Sequence, residues 1–303
     1  MTGEPVVVGV DGGETALAAA RWAAAEAARR GAGLHVLLAY HWRVPAVLGP
    51  RGGLAETAQD LAEMVAADAA RRAADAVPGV DVQASAVLGQ PADVLLHAAE
   101  GAGLLVVGTR GRHEITGTFL GSVSQQVTAH AAGPVAVVRG RPDPSGDVLV
   151  GVDGSEPSDA ALELAFAEAT RWGSRVAAVR ALEVPIAPPS LGTPPLLYDV
   201  EETRRSLCQT TAAHVAAVGE RHPGVPWEFN GIVGDAAEVL TERSARCRIV
   251  VVGNRGHGGF RGLLLGSVGL RLLHRAECPV LVAHAPAPGA VSGASADAAA
   301  AAP

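Results

Sequence analysis

The chain has 303 residues, 49% of them hydrophobic and 18% charged, with a net charge of −7. That is enough apolar material for two ordinary cores, and it excludes both a disordered chain and a basic nucleic-acid-binding one. All 24 basic residues are arginine, so a Walker-type phosphate lysine, a Schiff base and a kinase strand lysine are excluded outright.

The opening Met1-Thr2-Gly3-Glu4-Pro5 carries no basic or cleavable apolar segment. No later apolar run approaches the roughly 18 residues of a membrane span, so no signal peptide or membrane partner is read and a cytoplasmic location is expected. Val6-Val7-Val8-Gly9-Val10-Asp11-Gly12 gives a first strand at 5–10, followed by an alanine-rich helix over 15–30 that ends near Gly31, and a strand at 34–40. After a loop with Pro45, Gly49, Pro50, Gly52 and Gly53, the pattern predicts helix 54–76, strand 81–87, helix 91–101, strand 104–108, helix 121–131 and strand 134–138. Arg139 to Gly146, with Pro142, Asp143, Pro144 and Ser145, reads as a short linker. The series then repeats: strand 147–152, helix 157–172, strand 175–181, a proline-rich loop 185–195 and helix 199–221. Strand 226–233, helix 235–244, strand 248–253, helix 266–275 and strand 279–283 complete it. Residues 286–303, rich in alanine, glycine, serine and proline, read as a disordered tail.

The second series is a copy of the first. Gly9 recurs as Gly151 at an offset of 151 − 9 = 142 residues, and Gly108 as Gly253 at 253 − 108 = 145. So long a period fits two tandem domains, expected at 1–140 and 146–285, and not a solenoid. Alternating strands and helices make each an α/β unit, an open five-stranded parallel sheet with helices on both faces, Rossmann-like in kind.

The chemistry-bearing motif is G-x2-G-x9-G-S, present twice, each time behind a buried strand. Gly108-Thr109-Arg110-Gly111 leads to Gly121-Ser122, and Gly253-Asn254-Arg255-Gly256 leads to Gly266-Ser267. Strand, glycine-rich loop and helix start together aim main-chain N–H groups at an anion. Gly108 and Gly111 are expected to let the backbone come close to a ligand, and Ser122 to cap its helix and reach phosphate. If the first and fourth strands are neighbours, Asp11 faces the same crevice, and Asp153 does so in the second copy. A carboxylate does not bind phosphate directly, so these two are assigned to a ribose hydroxyl or to a Mg²⁺ that bridges to phosphate. Four or five charge-assisted hydrogen bonds at roughly 1.5–3 kcal/mol each exceed the ~8 kcal/mol of micromolar binding after ordering costs.

Other chemistries find no support. Cys208, Cys247 and Cys278 form no C-x-x-C pair, the ten histidines show no HExxH spacing, and neither a G-x-S-x-G elbow nor a G-x-G-x-x-G after a first strand occurs. No catalytic residue and no protein-ligated metal are therefore assigned, and His257 reads as a solvated loop residue.

Both halves resemble the universal stress protein family, of the tandem-domain, ATP-binding kind. The resemblance spans roughly 4–138 and 146–284 and rests on the V-G-V-D start, the V-V-G-x-R-G loop, the L-G-S-V helix entry and the closing G/C-P-V strand. It implies an adenine nucleotide, ATP with Mg²⁺, in each copy. The adenine would be held by backbone near Ala39 and Ala181 at the ends of the second strands. The first site would comprise Gly9, Asp11, Gly108, Thr109, Arg110, Gly111, Arg112, Gly121, Ser122 and Val123. The second would comprise Gly151, Asp153, Gly253, Asn254, Arg255, Gly256, His257, Gly266, Ser267 and Val268. The resemblance also implies pairing of the two last strands within the chain, and a homodimer. Gly13 stands where the second copy has Ser155, and Glu114 lies in the first loop only, so the first site is expected to bind more weakly. Besides a stress-response regulator, the residues leave open a slow Mg-dependent ATPase or nucleotidyl transferase using Asp11 or Asp153, and a nucleotide-free interaction module.

Overall fold

A computed structural model describes residues 3–41, 52–109, 120–141, 145–182, 200–256 and 264–284. The loops expected around 42–51 and 185–195, the middle of the linker and the tail lie outside the described residues. The first half runs β1 (Val6–Val10), α1 (Glu14–Arg30), β2 (Leu34–Tyr40), α2 (Gly52–Ala76), β3 (Val82–Leu88), α3 (Pro91–Ala99), β4 (Leu104–Gly108), α4 (Ser122–His130) and β5 (Val135–Val138). The second runs β6 (Asp147–Gly151), α5 (Glu156–Trp172), β7 (Val176–Leu182), α6 (Val200–Glu220), β8 (Trp227–Val233), α7 (Ala236–Ser244), β9 (Cys247–Gly253), α8 (Ser267–Arg275) and β10 (Val280–Ala283).

Each half is a five-stranded parallel sheet, and the two are joined into one ten-stranded sheet of order β3-β2-β1-β4-β5-β10-β9-β6-β7-β8. The join is antiparallel, Val280 facing Val137, Leu281 facing Ala136 and Val282 facing Val135. Leu281 and Ala136 are equivalent residues (281 − 136 = 145), so the seam lies on an internal two-fold axis. Pairing the two copies there removes two exposed sheet edges. β1 lies beside β4 and β6 beside β9, the neighbour relation on which the shared crevice depends.

Successive side chains point opposite ways, and in the strands inside the edge pair β3 and β8 both sets are largely buried. Val6, Val8 and Val10 pack with α1 and α2, while Val7 packs with the layer that contains α3 and α4. Helix α1 buries Ala16, Ala19, Ala20, Ala23, Ala24 and Ala27, a small-residue stripe that brings its backbone close to the sheet. It ends where Gly31 takes the left-handed conformation (φ 61°), with Ala32 N–H bonded to Ala27 O at 2.9 Å and Gly31 N–H to Ala28 O at 3.1 Å. Gly173 ends α5 in the same way at φ 58°. Among the described residues no helix is long and apolar enough to cross a membrane. Burial raises the thiols of Cys247 to about 11 and Cys278 to about 12, so both are protonated packing residues.

On the α1/α5 side the seam holds a polar knot. Glu26 and Glu168, equivalent by position, are both fully buried. Arg29 pairs with Glu26 at 2.7 Å, Arg171 with Glu168 at 2.9 Å, and Arg30 crosses from the first half to Glu168. Trp172 carries the guanidinium groups of Arg29 and Arg248 over its ring at 4.5 and 4.7 Å. Burial, and then the Glu168 carboxylate, hold the Glu26 carboxyl above its ordinary value of 4.5, against the pull of Arg29 and Arg30. A carboxyl whose affinity for protons is higher in the folded state favours folding at acid pH, and that contribution is lost as pH rises through the folded value. Glu26→Gln is therefore expected to flatten the fall in thermal midpoint between about pH 4.5 and neutrality, as read by calorimetric scans at several pH values. An unchanged slope would contradict the assignment.

Candidate functional site

In each half the strand order reverses between the first and fourth strands, the place where an open parallel sheet leaves a crevice beyond its strand ends. In the second half this crevice is a cavity of about 480 Å³. Its floor is the ends of β6, β7 and β9 (Gly151, Val152, Val179, Ala181, Val252 and Gly253). One wall is the loop at Arg255 and Gly256 with the start of α8, Gly266 to Gly269, and the other is Asp153 and Ser158 with Ala236 and Leu240 of α7.

Nine of the residues assigned to the second site on sequence line this one cavity: Gly151, Asp153, Ala181, Gly253, Arg255, Gly256, Gly266, Ser267 and Val268. His257 lies outside the described residues. Asn254 is buried behind the loop and acts through its main chain, its N–H bonded to Ala283 O at 2.8 Å and its carbonyl accepting Gly266 N–H at 2.7 Å. That second bond ties the loop to the helix start. The first half repeats it with Gly121 N–H on Thr109 O at 2.7 Å, so the structure brings Gly108, Thr109, Gly121, Ser122 and Val123 together beside β1, Gly9 and Asp11. Ala39 lies in β2, paired with Val87 of the edge strand β3. Arg110, Gly111 and Arg112 lie outside the described residues, as does Glu114.

Two expectations need correction. Ser122 is not the cap of its helix: Gly121 takes the cap position with extended backbone (φ −66°, ψ 149°), and Ser122 is the first helical residue. Gly266 precedes Ser267 in the same way, and neither helix receives a side-chain cap. The first-turn N–H groups of α4 and α8 thus carry no local acceptor from the cap residue. The close backbone approach expected at Gly108 is made by the protein itself. A Cβ there would lie 2.9 Å from the carbonyl oxygen of Thr15 in α1, and one at Gly253 would lie 2.6 Å from the carbonyl of Pro157 in α5. Gly9 and Gly151 likewise make room for Leu95 and Leu240, each 2.8 Å from the added carbon. Gly266 differs, since its added carbon meets nothing nearer than 3.5 Å.

The aspartates are held unequally. Asp153 Oδ1 accepts the N–H of Ser155 at 2.9 Å and its hydroxyl at 2.6 Å, and the Asp153 N–H donates to Ser158 Oγ at 3.0 Å. Its Oδ2 stands against the loop, where a Cβ on Gly256 would collide with it. In the first half Gly13 N–H donates to Asp11 Oδ1 at 2.9 Å, but Gly13 and Ala16 occupy the positions of Ser155 and Ser158 and bring no hydroxyl. Where the second half has Gly269 in the cavity wall, the first has Ser124, whose hydroxyl is spent on Gly108 O at 2.7 Å. Sequence reading missed Ser158, although D-G-S-x-x-S was visible. It also missed the apolar wall of Val179, Ala236 and Leu240, which no local motif announces.

The model of the universal stress protein family matches residues 3–139 and again 145–284. A universal stress protein of Mycobacterium tuberculosis (strain ATCC 25618 / H37Rv) is 35% identical over 295 residues, covering 92% of this chain and 96% of its own. The crystal structure of a universal stress protein from Archaeoglobus fulgidus DSM 4304 shares the fold, with a TM-score of 0.68 at 19% identity over 93% of this chain and 97% of that one. A universal stress protein solved in complex with cAMP is 32% identical over 46% of this chain and 98% of its own, with a TM-score of 0.35.

The glycine contacts separate packing from ligand space. Gly253→Ala is expected to cost about 1–3 kcal/mol of stability, because backbone must move away from the new methyl group. Gly266→Ala is expected to cost less, about 0.5–1 kcal/mol, from the loss of glycine's advantage over alanine at a helix cap. Urea unfolding of the two variants checks this, and an equal loss in both would contradict it.

Proposed function

The chain belongs to the universal stress protein family, and on that premise we propose that it is an ATP-binding, stress-response regulatory protein with one nucleotide site in each half. The observation that carries the reading is the convergence of nine motif residues on one cavity at the carboxyl ends of β6 and β9. At about 480 Å³ it is within the range of small-molecule sites. The start of α8 supplies N–H groups and the positive end of a helix, Ser267 a hydroxyl and Arg255 a guanidinium, a donor set suited to polyphosphate without any lysine. The apolar side, Val179, Ala181, Ala236 and Leu240, suits a purine ring.

Asp153 adds a carboxylate held by Ser155, its own N–H bonded to Ser158, at the edge of this donor set, which fits either a ribose hydroxyl or Mg²⁺. Mg²⁺, when bound, would neutralise phosphate charge beside that carboxylate. The units are residues 1–140 and 146–285, each with its own crevice. The first is the weaker binder, since its aspartate lacks both serine partners and Ser124 takes the place of Gly269. A homodimer in the cytoplasm completes the reading.

Calorimetry with ATP and Mg²⁺ is expected to show micromolar binding that Gly266→Val weakens more than tenfold, with a smaller loss for Gly121→Val. Loss of all binding from Gly121→Val alone would reverse the ranking of the sites, and tighter binding of cAMP than of ATP would overturn the triphosphate reading. Steady phosphate release that Asp153→Ala abolishes would make the protein a slow ATPase.

A further inference from the structure

The seam carries a second set of contacts on the α4/α8 side, and they too are related by the internal two-fold axis. Arg139, the residue after β5, donates to the carbonyl oxygens of Leu272, at 3.1 Å, and Leu273, in the last turn of α8. His284, the residue after β10, sits with Nε2 3.0 Å from the carbonyl oxygen of Thr128 in the last turn of α4. A carbonyl oxygen only accepts, so Nε2 carries the proton. These are the same contact made twice, because 284 − 139 = 145 and 273 − 128 = 145. Leu272 O also accepts the Ala276 N–H at 2.9 Å, so the equivalent pair, Leu273 and Thr128, are the last-turn carbonyls to which the opposite half brings a donor.

Each of these residues is tied to a glycine loop. Val138, just before Arg139, is paired with Gly108, where the first loop begins. Ala283, just before His284, is paired with Gly253, and its carbonyl accepts the Asn254 N–H at 2.8 Å. From Thr128 the chain of hydrogen bonds continues inside the first half. Its hydroxyl donates to Ser124 O at 2.6 Å, and the Ser124 hydroxyl donates to Gly108 O at 2.7 Å. A continuous path therefore runs from Gly253 through Ala283, His284, Thr128 and Ser124 to Gly108, and from there through Val138 and Arg139 to α8.

We propose that each half positions the helix that opens on the other half's crevice, Arg139 holding α8 and His284 holding α4, so that the two crevices are coupled across the seam. What the coupling regulates rests on the nucleotide reading, whereas the link itself rests on the contacts alone. The helices are short, nine residues each, so a partner at the carboxyl end lies within three turns of the amino end that faces the crevice. The holds are unequal. A guanidinium is permanently charged and favoured at a helix carboxyl end, while burial holds the His284 imidazole below its ordinary value and so neutral. By linkage, any preference that occupancy of one crevice creates in the other is returned by the same factor.

Hydrogen exchange on the intact chain tests the link, with calorimetry testing its consequence. Arg139→Met is expected to speed exchange about tenfold in the last turn of α8 (residues 272–275) with α4 unchanged, and His284→Ala is expected to do the reverse. Arg139→Lys, which keeps a cationic donor, should restore much of the protection. Equal acceleration of both helices by either variant would reduce the residues to general seam contacts and overturn the proposal, as would no change in either. In calorimetry, Arg139→Met should weaken ATP about tenfold at the second crevice, isolated by Gly121→Val. It should leave the first crevice, isolated by Gly266→Val, unaffected. Unchanged or equally weakened affinities overturn the coupling. A parent chain that takes up no ATP counts against the nucleotide reading alone, and the exchange result then decides the positioning of the helices.

Discussion

A contact that tolerates no side chain is made once in each half: Gly108 lies against the Thr15 carbonyl and Gly253 against that of Pro157. It lets the first turn of α1 or α5 sit directly on the end of the fourth strand, next to the turn that carries Asp11 or Asp153. The crevice exists because these backbones approach so closely at the point where the strand order reverses. With the aspartate turn on one side and the glycine loop on the other, the loop closes onto the start of α4 or α8 by a single main-chain bond, at 2.7 Å in both halves. Small residues there thus have two separate causes. Gly9, Gly108, Gly151 and Gly253 lie hard against protein atoms, Gly151 and Gly253 lining the cavity as well, whereas Gly266 borders the cavity with room to spare.

Duplication has given the chain two crevices and one seam. The seam protects the last strands, which would be exposed edges in a single copy, and it holds buried charge on one side and reciprocal helix contacts on the other. The copies differ at several positions around the crevice. Ser155 bonds the Asp153 carboxylate and Ser158 its N–H, while Gly13 and Ala16 stand at those positions in the first copy, and Ser124 stands where the second has Gly269. Such divergence, on a scaffold otherwise kept in register, is the basis on which the two crevices are proposed to differ in strength.

Much of this was legible in the sequence because strands buried on both faces read as unbroken apolar runs. Leu104 to Val107 and Ile249 to Val252 are such runs, and the structure places them as central strands. The edge strands β3 and β8 are far less completely buried, and polar residues such as Gln83, Ser85, Glu228 and Asn230 interrupt their apolar runs. The motif residues of the second crevice were also legible, since glycine spacing and a strand end are local signals. Long-range contacts were not. Thr15 lies far from Gly108 in sequence, so the cause of that glycine could not be read from its neighbours. Ser122 resembles a helix cap in sequence, but Gly121 already occupies the extended cap position. Arg139 read as the start of a linker because prolines follow it, while its partners are carbonyls 133 and 134 residues away.

On the proposed reading, main-chain donors at a duplicated strand-end crevice, without any lysine, hold an adenosine triphosphate. Mass spectrometry of the small molecules released by acid from gently purified protein addresses it most directly. ATP at up to two equivalents per chain, found there or taken up at equilibrium in dialysis, is the expected outcome. Protein that releases no adenine nucleotide, and takes up none in equilibrium dialysis against millimolar ATP and Mg²⁺, would contradict it.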